Sequence, residues 1–183
     1  MKKAVYVCLS VLLFHFASMA QNASKQKLPD ASKQRLLSVN ADVGFYLYSH
    51  WVSSTQINAL AQAQFPVADK FAVTATTGIG ISPAKSSYRQ SVKEEYGIST
   101  GLYLPIWIGG RYYIINGLHT DLELGVDAKI NKLASTQFHF SPGIGYALPV
   151  NKDKFVNFST HYITGFKSGT SSFDFRIGYM FGL

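Results

Sequence analysis

Cysteine is almost missing from this chain: among 183 residues there is one, Cys8. It sits inside an apolar run from Ala4 to Phe14, preceded by Lys2 and Lys3 and followed by the small-x-small stretch Ser18-Met19-Ala20. That arrangement predicts a secretory signal peptide over residues 1–20, cleaved after Ala20. Cys8 would leave with it, and its flanks lack the Leu-small-small context of a lipoprotein signal. The exported chain then has no thiol, which excludes disulfides, thiolate metal sites and a cysteine nucleophile.

Long apolar runs are also lacking. A membrane-crossing helix needs about 20 apolar residues, which neither the N-terminal run nor any later stretch supplies. Negative charge is scarce: 17 basic residues face 10 acidic ones, and loss of Lys2 and Lys3 leaves 15 against 10, a surplus of +5. That surplus is scattered and small, and argues against a nucleic-acid partner. A membrane-bound exported chain without an apolar helix has one remaining architecture, a closed β-barrel. The length predicts one domain.

Residues 21–36 carry a short basic duplication, Ala23-Ser24-Lys25-Gln26-Lys27-Leu28 and Ala31-Ser32-Lys33-Gln34-Arg35-Leu36. It is poor in β-branched residues and reads as a flexible periplasmic lead-in. From Leu37 a period of two begins, the mark of strands with one apolar face. Leu37, Val39, Ala41, Val43, Phe45 and Leu47 share one face; Asn40, Asp42, Gly44 and Tyr46 share the other. Alternation continues over about eight strands, at 37–51, 57–67, 71–81, 92–106, 111–125, 137–150, 155–166 and 171–183. Phe65-Pro66-Val67, Leu104-Pro105-Ile106 and Leu148-Pro149-Val150 each precede a tight polar turn, so three equivalent hairpins are expected on one side. Longer, more basic connections fall on the other side. Ser141-Pro142-Gly143 interrupts the sixth strand and predicts a bulge.

Volume decides which face looks out. Following strand parity, 12 of the 15 glycines fall opposite the apolar face. An eight-stranded barrel barely accommodates its own side chains, so the glycine face fits inside. The other face carries rings such as Phe45, Phe71, Phe138, Tyr162, Phe173, Phe175 and Tyr179, too many for that bore. A bulky apolar exterior means lipid. The expected fold is all-β: an eight-stranded antiparallel up-and-down transmembrane barrel over 37–183.

The C-terminal stretch Phe173-Asp174-Phe175-Arg176-Ile177-Gly178-Tyr179-Met180-Phe181-Gly182-Leu183 alternates throughout. It resembles the C-terminal strand of outer-membrane β-barrels, whose assembly machinery reads a polar-x-Gly-x-x-apolar-x-apolar pattern. Arg176, Gly178, Phe181 and Leu183 match that assembly signal, with Leu where the family usually has Phe. Over 37–183 the chain resembles the small outer-membrane barrels of the OmpA/OmpX type. The resemblance implies location in the Gram-negative outer membrane with both termini periplasmic, and partners in outer-membrane lipid, lipopolysaccharide and the barrel assembly machinery. It implies no cofactor.

Parity sends a set of ionisable groups inward. Asp42, His50, Glu95, Arg111, His119, Asp121, Glu123, His139, His161, Asp174 and Arg176 are expected there as a polar network, since unpaired buried charge is strongly unfavourable. Asp42 and Arg176 lie on the first and last strands and are expected to pair where the barrel closes. His119-x-Asp121-x-Glu123 forms a row on one strand, expected near the outer mouth. Four histidines on different strands, without HxH or helical spacing, give no metal motif. Ser159-Thr160-His161 is loosely similar to the His-x-Ser stretch of lipid A deacylases, but position 163 is Ile and His161 points inward. No catalytic residue is assigned. Lys85, Arg89, Lys129, Lys132 and Lys167 stand in the longer loops, where cations meet lipopolysaccharide phosphates. The function expected is a structural or interaction role with a filled lumen rather than an open, porin-like pore. The alternatives are a lipid A-modifying barrel enzyme and an accessory barrel of a secretion or transport assembly, similar in build to PorT-like proteins.

Overall fold

Alternation is realised along every strand. In the computed structural model, which describes residues 30–47, 53–115, 117–166 and 170–183, eight strands run up and down. They are β1 (Leu36–Tyr46), β2 (Thr55–Ala68), β3 (Phe71–Pro83), β4 (Thr100–Ile115), β5 (Leu118–Lys129), β6 (Gln137–Asn151), β7 (Lys154–Gly165) and β8 (Ser171–Gly182). Each pairs antiparallel with the next, and β8 pairs with β1, closing the barrel. All have at least the ~9–11 residues that a tilted strand needs to cross a bilayer. The signal peptide, residues 21–29 of the lead-in, His50 and Lys167 lie outside the described residues.

Short turns at one end join β2 to β3, β4 to β5 and β6 to β7, and longer connections lie at the other. Asp30 and Leu183 both sit at the turn end. The three register shifts, at Pro66/Ala68, Tyr113/Ile115 and Pro149/Asn151, are all beside these turns.

The hairpin expected after Pro105 does not form. Strand β4 continues through Gly109-Gly110, which pair with Glu123 and Leu122 on β5. A side chain at 109 would press on Thr74 Oγ1 and Glu123 Cγ, and one at 110 would strike the Phe71 ring; these glycines make room across the sheet rather than turning it. The chain reverses instead between Ile115 and Leu118, where Gly117 has a φ of 88°. Asn-Gly is the dipeptide most favoured in a two-residue hairpin. Pro105 keeps its register partner on β5, Asp127. On the β3 side the bridges lapse between Thr77↔Ile106 and Gly80↔Tyr103 without a change of register.

The fourth strand also begins later than its alternation predicts. Residues 92–96 belong to an exposed helix, α1 (Arg89–Tyr96), ended by Gly97 at φ 74° with its N–H on the Lys93 carbonyl at 2.9 Å. Gln, Lys and two Glu favour helix, and a left-handed glycine stops it. Glu95 is therefore exposed on this helix and not inside the barrel. The bulge expected at Ser141-Pro142-Gly143 is absent: β6 keeps one register with β7 on either side, from Phe140↔Thr164 to Gly143↔His161. The missing proline N–H interrupts the ladder there without shifting it.

The described part of the lead-in is packed rather than free. Asp30 accepts the Ser32 N–H at 3.0 Å and starts a 3-10 turn, Ala31–Lys33, that buries Ala31 and Ser32. Gln64 Nε2 donates to the Ala31 carbonyl at 2.9 Å, and Ser32 Oγ to that of Asp69 at 3.1 Å. Ala31 joins Leu36, Tyr113, Ala147, Phe155 and Met180 in an apolar stopper. The turn covers apolar surface at the turn end, which is why it does not stay solvated.

Candidate functional site

Inward parity gathers the polar side chains into the bore. Arg111 on β4 faces Asp121 on β5 as a register partner. Its Nε donates to Oδ1 at 2.7 Å and its Nη2 to Oδ2 at 3.1 Å, a bidentate pair. The remaining guanidinium donors reach β2: Nη1 to Gln64 Oε1 at 3.1 Å and Nη2 to Gln62 Oε1 at 3.2 Å. Tyr113 Oη donates to Gln64 Oε1 at 2.9 Å, coupling the apolar stopper to this layer.

Arg176 on β8 and Asp42 on β1 are register partners, and Arg176 Nε lies 3.2 Å from Asp42 Oδ2. Its Nη1 lies 3.2 Å from Glu123 Oε2 on β5, so one side chain bridges neighbouring and distant strands. The guanidinium also stands 5.5 Å from the Trp107 ring centroid, within cation–π range. Glu123 Oε1 accepts from Gln62 Nε2 at 2.9 Å and from Thr76 Oγ1 at 3.0 Å.

The row His119, Asp121, Glu123 lies in the turn-end half of β5, not near the outer mouth, because β5 starts at 118 rather than 111. His119 Nδ1 is 3.2 Å from Asp121 Oδ1, and its Nε2 is 2.8 Å from Asn157 Oδ1. His161 Nε2 stands 3.1 Å from Ser159 Oγ and 3.8 Å from Asp121 Oδ2, and its Nδ1 lies 3.8 Å from Glu123 Oε2. The residue is 1% exposed and walled in by these groups. Toward the loop end, Asp174 accepts from Gln56 Nε2 at 2.6 Å and Ser172 Oγ at 2.5 Å. Asp127 accepts from Trp107 Nε1 at 2.9 Å and has His139 Nε2 at 2.8 Å. Among the described residues no group of three or more His, Cys, Asp or Glu could hold a metal ion.

Sequence reasoning singled out the charged members and passed over the neutral ones that join them. Gln56, Asn58, Gln62 and Gln64 occupy alternate inward positions of β2, and Tyr103 and Trp107 fill the bore from β4. The signal was available: four amides on one face of β2, interrupted only by Leu60, opposite a stripe of alanines.

Of the assembly-motif residues, Arg176 and Gly178 face the bore, and Leu183 is exposed with its N–H on the Arg35 carbonyl at 3.0 Å. Of the loop cations, Arg89 lies on α1, Lys129 ends β5, and Lys132 lies in the following loop; all three are exposed. The outer wall is apolar at positions across the sheet, among them Val39, Ile79, Ile108, Ile144, Phe175 and Ile177. Such a belt is lipid-facing surface.

No protein-family model matches the chain, and no curated protein matches it. Solved structures do. Ail, the attachment invasion locus protein of Yersinia pestis, superposes with a TM-score of 0.54 at 10% identity over 81% of this chain and 99% of that one. The outer membrane protein AlkL gives 0.54 at 13% identity over 87% and 94%. The outer membrane protein OprG from Pseudomonas aeruginosa gives 0.51 at 10% identity over 86% and 100%. By fold, then, the chain is an eight-stranded β-barrel similar to the small barrels of the outer membrane.

Proposed function

We propose that this barrel serves the outer membrane as a structural or interaction component, with both termini periplasmic and no open path through its lumen. The observation that carries the reading is the contact of Arg176 on β8 with Glu123 on β5 at 3.2 Å, a charged bridge across the bore with both side chains at most 2% exposed. Arg111 with Asp121 fills the next layer, and the stopper around Phe155 and Met180 fills the turn end. A barrel of eight strands leaves little room beyond its side chains. Planar-bilayer recording of the purified chain tests this: transient, unresolved current is expected, and a steady, sizeable conductance overturns it.

Exposed Arg89, Lys129 and Lys132, with Lys85 and Lys167, are read as lipopolysaccharide contacts at the outer rim. The attachment invasion locus protein has been crystallised with a heparin analogue, sucrose octasulfate, a polyanion on the same fold. Replacement of these five cations by Gln should weaken retention of lipopolysaccharide through purification; unchanged retention counts against the contact. Arg176, Gly178, Phe181 and Leu183 are read as the signal to the assembly machinery, tested by the folded yield in vivo of Phe181→Asp.

A catalytic role is not proposed. His161 and Ser159 touch, but both are enclosed in the lumen beside carboxylates and away from the lipid-facing wall. Mass spectrometry of lipid A with and without the protein checks this; a change in acyl content would reverse it.

A further inference from the structure

At the loop end, aromatic rings line the outer wall over only half of its circumference. Phe45 on β1, Phe138 on β6, Tyr162 on β7 and Phe173 on β8 are exposed there, and the Tyr162 and Phe173 ring centroids are 5.3 Å apart. Among the described residues, the loop halves of β2, β3, β4 and β5 present no outward ring. Their outward side chains are aliphatic or small, such as Ile57, Ile79, Leu104 and Val126. Tyr103 and Trp107 of β4 are buried in the bore. Outer-membrane barrels carry a girdle of aromatic residues at each interface, because amphipathic rings settle at headgroup level. Here the girdle is open across four consecutive strands.

Helix α1 springs from the middle of that gap, between β3 and β4. Its apolar side chains recur at every fourth residue: Tyr88 at the N-cap, Val92, and Tyr96 in the last turn. The Val92 N–H donates to the Tyr88 carbonyl at 2.9 Å, so the three share one face, with about 12 Å between the outer two. Both tyrosines are exposed, and no residue of the helix is buried. Eight residues without a packed face are too few to hold a helix in water, even with Gly97 to end it. Arg89 and Glu95 flank the stripe; with Lys93 and Glu94 behind them the helix has no net charge, so its face asks for apolar contact rather than a counter-ion. The loop keeps it close to the strands. Pro83 pairs with Thr100, and the Ala84 N–H donates to the Ser99 carbonyl at 2.9 Å. Tyr96 is four residues from Thr100, a reach of roughly 14 Å at most.

We propose that α1 lies along the lipid headgroup layer beside β3 and β4, with Tyr88, Val92 and Tyr96 against lipid, and closes the aromatic girdle where the strands lack rings. Its partner is the membrane surface that the girdle already meets on β6, β7, β8 and β1. An amphipathic helix is stable there because its apolar face leaves water while its charged flanks stay in it. With both termini periplasmic, as proposed above, that surface is the outer leaflet. The placement rests on the lipid-facing belt and is independent of the lipopolysaccharide contacts.

The test uses residues 21–183, which contain no cysteine. Val92→Cys, Glu94→Cys and, in the belt, Ile108→Cys then each give a single site for a nitroxide label. The labelled chains are placed in phosphatidylcholine vesicles, and collision with oxygen, enriched in lipid, is compared with collision with a nickel chelate confined to water. The oxygen-to-nickel ratio at Val92 should exceed that at Glu94, on the opposite side of the helix, by about threefold. Tyr88→Ser with Tyr96→Ser should bring the Val92 ratio down to that of Glu94. The α1 substitutions touch no buried residue, and folding is checked by heat-dependent migration on gels. Val92 and Glu94 equally wet, with Ile108 in lipid, overturns the placement of the helix and leaves the belt standing. A Val92 label that stays in lipid without the two tyrosines overturns their part in the girdle and with it the proposal. Ile108 in water overturns the belt itself and everything built on it.

Discussion

The two faces of the same strands obey opposite rules. On β8, Phe173, Phe175, Ile177 and Tyr179 look outward and are exposed, while Asp174, Arg176 and Met180, one position away, are buried. In water this would be an inverted protein. In a bilayer the outward ring is in its preferred solvent, and the inward charges survive only because each has a partner in reach. Polar substitution should therefore be judged by face and depth, not by residue type. Outside, a charge is penalised by distance from the nearest interface. Inside, it is penalised by the partner it leaves behind.

The inner face should give the larger response. Arg176→Met removes the cation shared by Asp42 and Glu123 and leaves two buried carboxylates without it. A loss of about 3–5 kcal/mol is expected, measured by reversible urea unfolding in lipid vesicles. The triple replacement of Arg176, Asp42 and Glu123 by apolar residues should recover most of that loss, since a buried ion pair is often no more stable than its apolar substitute. A single-variant loss below about 1 kcal/mol would mean that the network is spectator to the fold.

The outer face should show a gradient instead. Ile108, mid-strand and 67% exposed, lies deep in the apolar belt. Ile108→Arg is expected to cost about 2–4 kcal/mol, and Phe138→Arg, one residue from the loop end of β6, about 0–1 kcal/mol. Equal costs at the two positions would contradict the depth assigned to them.

Parity was readable because a period of two survives errors of boundary. The predicted fourth and fifth strands were shifted by eight and seven residues at their starts, yet Arg111, His119, Asp121 and Glu123 all face inward. An even or odd position fixes the face wherever the strand begins. Hairpin placement was less secure. Apolar-Pro-apolar marks a strand end at Pro66 and Pro149, but Pro105 sits mid-strand, where its missing donor interrupts one ladder only. Asn116-Gly117 carried the stronger turn chemistry. The 3-10 turn was obscured by composition: a basic, polar stretch reads as solvated until Ala31 meets the Phe155 cluster, which is far away in sequence. The bridge from Arg176 to Glu123 was similarly hidden, because alternation tells which residues enter the bore but not which meet across it.

That hairpin offers a test of intermediate size. Gly117 has a positive φ, and a Cβ there would fall 2.4 Å from the Ala147 carbonyl oxygen. Gly117→Ala should cost about 1–2 kcal/mol through left-handed strain, with some additional loss from crowding. A fall in folded fraction at intermediate urea would register it. No change would show that the turn relaxes into another type, so that the β4–β5 register does not depend on it.

The smallest effect should come from an ion pair of the same chemistry in a different place. Lys33 Nζ and Asp69 Oδ1 are 3.8 Å apart at the turn end, with side chains 63% and 95% exposed. Arg176 and Asp42 are 3.2 Å apart, with side chains 1% and 0% exposed. Water screens the first pair, while the second has only its neighbours to replace hydration. Lys33→Gln should thus shift stability by no more than about 0.2–1 kcal/mol, and less as salt rises. The 3-10 turn should persist, because Asp30, Gln64 and the buried Ala31 hold it independently of that lysine. Were Lys33→Gln to rival Arg176→Met in the same urea titration, burial would not be what separates the two pairs, and the contrast between wet ends and dry bore would fail.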